Sequence, residues 1–297
     1  MPSSALCPRP TARPRPDGYV LPAMTVKMEL GPVGAVVEPT KDGAFVDAAK
    51  QLEQLGFPTV WVIGGPLDGL GQLGRLVEGT GTARIASGII AADRFPVDEV
   101  AAFWKDLDAR HPGRFVLGLG GARGSGSFPA LHAYLDRLDE LGVPADARIL
   151  AALGPRALDL ARDRSAGAFP VLVTPDYVAV ARRRLGDGPL LAVEQFAVVE
   201  SDADRARAIG RGPLGFMSTL PFYQASFRRQ GFDDADITDV SDRLVDGLIA
   251  WGDADTVAAR IRQHHEAGAD HVAIILMSPT AGFPTDAWST LATKLLF

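Results

Sequence analysis

Short apolar runs alternate with longer amphipathic stretches from about residue 30 to the end of this chain. Residues 43–55 are of the amphipathic type, because apolar side chains recur at helical spacing along one face, at Phe45, Ala48, Ala49, Leu52 and Leu55. Residues 115–119 are of the other type: the run is too short for a helix and carries no charge. Such a run is typical of a strand buried on both faces, as in a parallel sheet.

The alternation predicts eight strands separated by helices. The strands are expected at residues 30–37, 59–63, 84–90, 115–119, 148–153, 169–173, 190–199 and 271–277. Eight regular units over about 270 residues favour an α/β fold closed into a (β/α)8 TIM barrel, and a doubly wound sheet is the alternative. Residues 213–249 fit no simple unit, so we expect a helical insertion after strand seven.

Composition bounds the possible functions. The chain has 297 residues and a formal net charge of −6, so it lacks the excess of positive charge that is typical of nucleic-acid-binding proteins. Cys7 is the single cysteine, and no apolar run reaches the length of a membrane span. Residues 1–24 are rich in proline and predict a disordered tail, and residues 25–297 predict one barrel domain. Arginine greatly outnumbers lysine, which suggests a GC-rich genome such as an actinobacterial one; we expect a cytoplasmic protein.

The predicted carboxyl ends of the strands are where a barrel places its chemistry. They carry glycine and small apolar residues, including Gly64, Gly120 and Gly121, and lack an evident acid, base or nucleophile. The five histidines fall on helices, in a turn or at a strand start, so we expect no metal. A glycine-lined apolar mouth suits an organic cofactor that brings its own chemistry.

One strand end also predicts an anion site. Ala152, Leu153, Gly154 and Pro155 lead into a helix whose first N–H groups are free to bind phosphate. Arg156 lies in the first turn of that helix, where a cation opposes the helix dipole unless an anion is bound. A solvated surface arginine is the alternative interpretation.

Several segments resemble the luciferase-like monooxygenase superfamily, and in particular its F420-dependent oxidoreductases. They are LDARHPGRFVLGLG at residues 107–120, SGII at 87–90, ILAALGPRALDLARDRSAGA at 149–168 with FPVLVTP at 169–175, and residues 242–274. The resemblance implies a barrel that binds coenzyme F420, or alternatively FMN, and transfers a hydride to or from a small-molecule substrate, as a homodimer.

The resemblance also implies roles for particular residues. Gly88, Ile89 and Ile90 match a bulge with a non-proline cis peptide behind the cofactor ring, and Gly88–Ile89 is the predicted cis bond. The turn at residues 152–156 and Thr174 match the segments that hold the cofactor's phosphate arm, and Arg123 matches a phosphate-binding arginine of flavin-using relatives.

Two departures from the family pattern leave the function open. The loop after strand four is short, and the segment after strand three lacks the asparagine that relatives carry near Ala91. The alternatives to an F420-dependent oxidoreductase are therefore an FMN-dependent monooxygenase and a cofactor-binding protein without turnover. The insertion is expected to cover the cofactor, with Tyr223 as the candidate proton donor; simple packing of Tyr223 is the competing interpretation.

Overall fold

A computed structural model describes residues 29–121, 127–279 and 282–296 of the chain. The predicted tail at residues 1–24 and Arg123 lie outside these ranges. Within them the chain forms ten strands and twelve α-helices. The strands are β1 Val33–Val37, β2 Thr59–Ile63, β3 Arg84–Gly88, β4 Ile90–Ala91, β5 Phe115–Gly120, β6 Arg148–Leu150, β7 Gly167–Ala168, β8 Leu190–Val199, β9 Ile249–Gly252 and β10 His271–Met277.

The helices follow the strands in the expected alternation. They are α1 Ala44–Gln54, α2 Gly71–Gly79, α3 Val97–Arg110, α4 Ser127–Glu140, α5 Pro155–Arg164, α6 Pro175–Leu185, α7 Ala203–Met217, α8 Pro221–Arg229, α9 Asp234–Asp239, α10 Asp242–Leu248, α11 Ala254–Glu266 and α12 Thr285–Leu295. No helix in the described part of the chain is both long and apolar enough to cross a membrane.

Eight parallel strands close into a barrel, which confirms the predicted fold. The order is β10-β1-β2-β3-β5-β6-β7-β8, and β8 pairs back to β10 from Ala192 to Val198. β4 continues β3 beyond one irregular peptide and pairs with β5. All strands therefore end at the same rim, which is the mouth of the barrel.

Side chains alternate in direction along each strand and so divide between two apolar clusters. The outward residues pack with the helices in a large apolar cluster that includes Val60, Leu117 and Val193. The inward residues form a smaller cluster in the barrel interior, which contains Leu30, Val36, Trp61, Ala86, Val116, Ile149, Phe169, Leu190, Ala192 and Ala273. This period of two is what a parallel barrel requires of strands buried on both faces.

The sixth predicted strand, residues 169–173, is wrong. Only Gly167–Ala168 pairs as a strand, followed by one bridge between Val171 and Glu194. Pro170 has no N–H for a ladder, and Leu172 adopts a left-handed φ of 53°, which ends an extended conformation. The fifth strand is also shorter than predicted, because it ends at Leu150.

The insertion is helical as predicted, but it ends in a strand that the sequence pattern did not reveal. β9 pairs with the far half of β8, Phe196 to Val199, beyond the point where the short β7 stops. Helices α7 to α10 pack on this extension of β8 in a separate apolar cluster that includes Phe196, Leu214, Phe227 and Leu244. The insertion therefore stands beside the mouth on the β7–β8 side.

Candidate functional site

The floor of the mouth is made of backbone, because glycines let neighbouring strands approach. A Cβ on Gly64 would overlap the carbonyl oxygen of Ile89, and one on Gly118 would overlap that of Ser87. A Cβ on Gly120 would collide with the Ile89 side chain and would lie 3.5 Å from the Cβ of Ala151. The ends of β2, β4, β5 and β6 are thus contiguous, and no side chain projects from Gly64 or Gly120 there.

The predicted cis peptide is confirmed at Gly88–Ile89. Its surroundings fix the kink between β3 and β4: the Gly64 N–H donates to the Gly88 carbonyl at 3.2 Å, and the Ser87 hydroxyl donates to the Gly118 carbonyl at 2.9 Å. Ile89 packs with the barrel-interior cluster, whereas the fully buried Ile90 packs outward with the helices. Ile90 can therefore face a ligand only through its backbone.

An aromatic pair closes the barrel below this floor. The rings of Trp61 and Phe169 stack at 4.0 Å with an interplanar angle of 7°. The indole N–H of Trp61 donates to Nε2 of His271 at 2.9 Å, so the imidazole carries its proton on Nδ1, which lies 2.8 Å from the Gly31 carbonyl. Burial lowers the pKa of His271 to about 4, so the ring is neutral.

A buried carboxyl group lies at the same level. Glu194, in the middle of β8, is 8% exposed, and its Oε2 would lie 3.6 Å from a Cβ on Gly88. Burial raises the pKa of Glu194 to about 8. The sequence did not indicate an acid at the mouth, because a strand buried on both faces does not show which of its residues point inward.

The predicted anion turn lies at the ends of β6 and β7. Gly154 precedes α5, which begins at Pro155, and the Thr174 hydroxyl caps α6 by accepting from the Tyr177 N–H at 3.2 Å. Ala152 is buried, and its carbonyl accepts from the Tyr177 hydroxyl at 3.4 Å. The turn is therefore rigid, and its exposed side is the beginning of α5.

Two arginines converge on this turn. Arg156 is exposed, and its guanidinium lies 4.6 Å from the centre of the Phe128 ring. Arg229, from the end of α8, donates to the Leu153 carbonyl at 2.9 Å and lies 3.7 Å from a Cβ on Gly154. Neither arginine is paired with a carboxylate among the described residues, unlike Arg228, which is paired with Asp234. Two free cations at a helix N-terminus favour an anionic ligand.

The residue that follows α8, Gln230, is hydrogen-bonded to the rim of the barrel. Gln230 accepts from the Thr174 N–H at 2.8 Å and donates to the Leu172 carbonyl at 3.1 Å. Nothing local in the segment FRRQG predicts these contacts of Arg229 and Gln230, because their partners lie more than fifty residues away in the chain. These contacts place the insertion against the anion turn.

The structure brings four of the other predicted site residues together in the floor, namely Gly64, Gly88, Ile89 and Gly120. Gly121 is exposed just past β5. Tyr223 is half-buried in the cluster of the insertion, with its ring 6.0 Å from that of Phe227. Its predicted role as a proton donor stays a prediction. The described residues contain no group of three His, Cys, Asp or Glu side chains placed to hold a metal.

Fold and site together define a (β/α)8 barrel whose mouth has a glycine-lined floor and a cationic end. No family model and no curated protein matches this sequence. Solved structures do match in fold. An F420-dependent secondary alcohol dehydrogenase, solved with an F420–acetone adduct, has a TM-score of 0.68 at 15% identity, over 89% of this chain and 98% of that one.

Two further structures are similar over the same shares of both chains, 89% and 98%. The coenzyme F420-dependent tetrahydromethanopterin reductase of Methanopyrus kandleri has a TM-score of 0.67 at 15% identity. The oxygenating constituent of 3,6-diketocamphane monooxygenase from Pseudomonas putida, a type II Baeyer–Villiger monooxygenase in complex with FMN, has a TM-score of 0.65 at 13% identity. The resemblance found in the sequence is thus confirmed at the level of the fold.

Proposed function

We propose that this protein is an oxidoreductase that binds coenzyme F420 in the barrel mouth and transfers a hydride between it and a small organic substrate. The observation that carries the proposal is the continuity of the glycine floor with the cationic turn, through Gly120 and Ala151. A planar ring with an anionic arm has the shape and charge that such a surface accepts. Two of the structural neighbours described above are F420-dependent.

The bound deazaflavin would supply the hydride chemistry. The chain would supply the rest: the backbone around Gly88 and Ile89 holds the ring, and Arg156 and Arg229 hold the anionic arm. Helix α8, fastened through Gln230, stands beside the open face and limits access of water and substrate. FMN is the alternative cofactor, because one neighbour of the same fold binds it.

Fluorescence titration of the purified protein with F420 and with FMN tests the choice of cofactor. We expect F420 to bind at least about tenfold more tightly, a difference of about 1.4 kcal/mol. Two cations on different helices support this preference, since they can hold an arm with more than one anionic group. Equal or tighter binding of FMN would favour the flavin alternative, and failure of both ligands to bind would reject the proposal.

Turnover separates an enzyme from a cofactor-binding protein without activity. We propose that Tyr223 orients or protonates a substrate oxygen, and Tyr223→Phe should then lower kcat by roughly 10²–10⁴, the usual contribution of general acid–base catalysis. The affinity for F420 should stay unchanged. Phe222→Leu, which alters the neighbouring ring 4.6 Å away, serves as the control for packing. Wild-type turnover of Tyr223→Phe on an identified substrate would exclude this role.

A further inference from the structure

Glu194 is an acidic side chain in an otherwise apolar barrel interior. It shares the inward face of β8 with Leu190 and Ala192. A Cβ on Gly88 would lie 3.6 Å from Glu194 Oε2, 3.5 Å from the Trp61 ring and 3.3 Å from the Phe169 ring. The carboxyl group therefore lies in the barrel interior beside the stacked aromatic pair and next to Gly88, which belongs to the floor of the mouth.

No described residue hydrogen-bonds or ion-pairs with this carboxyl group. On β2, the Trp61 N–H already donates to His271. The neighbours of the carboxyl group on β3 and after β7 are Gly88 and Phe169, and neither carries a charge. On β10, Ala273 lies opposite Glu194, and the nearby titratable group of that strand is the neutral His271, whose two ring nitrogens are both engaged. On β8 itself, Gln195 points outward and bonds the Leu248 carbonyl and His264.

An unpaired buried carboxylate is costly, so the neutral acid is the favoured form. This agrees with the pKa of Glu194, which burial raises to about 8. A neutral carboxyl group has an O–H to donate and, within the described part of the protein, no acceptor there that uses it. Such a donor is costly to retain unless water or a ligand supplies the acceptor.

We propose that Glu194, as the neutral acid, donates a hydrogen bond to an acceptor atom on the ring of the cofactor that occupies the floor. The inference rests on the proposed function and adds a binding residue to it. Ionised Glu194 cannot donate and repels negative charge on the ring, so proton loss from Glu194 opposes binding. Affinity should therefore be constant at neutral pH and fall as the pH rises above about 8.

The test is a set of fluorescence titrations with F420, and separately with FMN, at several pH values from about 6 to 10. For the wild type, we expect Kd to rise above about pH 8 and to approach a tenfold increase per pH unit. Glu194→Gln keeps a donor without a titrating proton, so its Kd should stay close to the neutral-pH value of the wild type. Glu194→Leu should bind about tenfold more weakly at every pH, since it cannot donate.

Ionisation of the ligand itself changes the Kd of every variant by the same factor. It therefore cancels when the Kd of the wild type is divided by the Kd of Glu194→Gln at each pH. Glu200→Gln is the matched control, because Glu200 follows the same strand but is paired with Arg205; it should keep the wild-type pH profile. Circular dichroism confirms that each variant is folded. A ratio that does not change with pH overturns the role of Glu194 and leaves the proposed function standing, whereas no binding of either ligand by any variant overturns both.

Discussion

At the scale of single residues, the two unpaired arginines of the anion turn define the most direct test of the site. Arg156→Ala and Arg229→Ala should each weaken binding of F420 by roughly 1–3 kcal/mol, the range for a hydrogen bond to a charged group. Their guanidinium groups are exposed, so neither substitution should change the melting temperature appreciably. Titration of each variant with F420 gives the measurement.

The control for this pair is Arg183→Ala. Arg183 is exposed in the last turn of α6, at the end of that helix opposite Thr174, and its substitution changes the net charge equally. Its affinity for F420 should equal that of the wild type. If the double variant Arg156→Ala/Arg229→Ala also binds normally, the anionic arm does not lie at this turn.

At the scale of elements, the floor depends on close approach of β2 to the segment that joins β3 and β4. Gly64→Ala places a methyl group on the carbonyl oxygen of Ile89, so part of the backbone must move. We expect a loss of roughly 1–3 kcal/mol of unfolding free energy, as for overpacking elsewhere, together with weaker cofactor binding. Urea denaturation and F420 titration measure the two effects.

The adjacent glycine gives a matched control for this substitution. A Cβ on Gly65 meets no heavy atom within 4 Å, and Gly65 is exposed. Gly65→Ala should therefore leave stability and binding close to the wild-type values. Equal effects of the two substitutions would show that the floor does not require a side-chain-free strand end at Gly64.

At the scale of the whole molecule, three buried titratable groups make opposing contributions to the pH dependence of stability. Burial lowers the pKa of His264 to about 3 and that of His271 to about 4, so both are neutral when folded but titrate near 6.5 when unfolded. The contribution of the two histidines to the free energy of unfolding is complete above about pH 6.5 and is lost as the pH falls through about 4 and then 3. Glu194 has a raised pKa, so its effect has the opposite sign: stability falls as the pH rises from about 4.5 to about 8.

The melting temperature of the wild type should therefore be highest at about pH 6.5, where the opposing effects of the two histidines and of Glu194 balance. Glu194→Gln should abolish the decline on the alkaline side, gaining a few kcal/mol of unfolding free energy at about pH 8, since each pH unit corresponds to about 1.4 kcal/mol. His264→Gln should weaken the decline on the acidic side. A wild-type melting temperature that rises steadily from pH 6 to pH 8 would contradict the burial of an unpaired Glu194.

The sequence by itself determined the barrel and much of its helical frame. Helices α3, α5 and α6 occupy residues 97–110, 155–164 and 175–185, and each has a strong local start signal in the sequence, because proline lies at or just before its first turn. Alternation of short apolar runs with amphipathic stretches was sufficient for the closed parallel sheet. The glycines of the floor were also predictable, since strand ends with close backbone approach require residues without a Cβ.

Only the tertiary structure decided how the site is completed. The left-handed Leu172, which ends the extended segment that follows β7, has no local sequence signal, because leucine rarely adopts that conformation. The inward direction of Glu194 depends on the register of β8, and the sequence of a doubly buried strand does not fix which face is the interior. Arg229 reaches the Leu153 carbonyl across 76 residues of chain, through the packing of the insertion on β8 and β9. Local propensity carries no information about such long-range contacts, which is why the donors of this site became visible only in the folded chain.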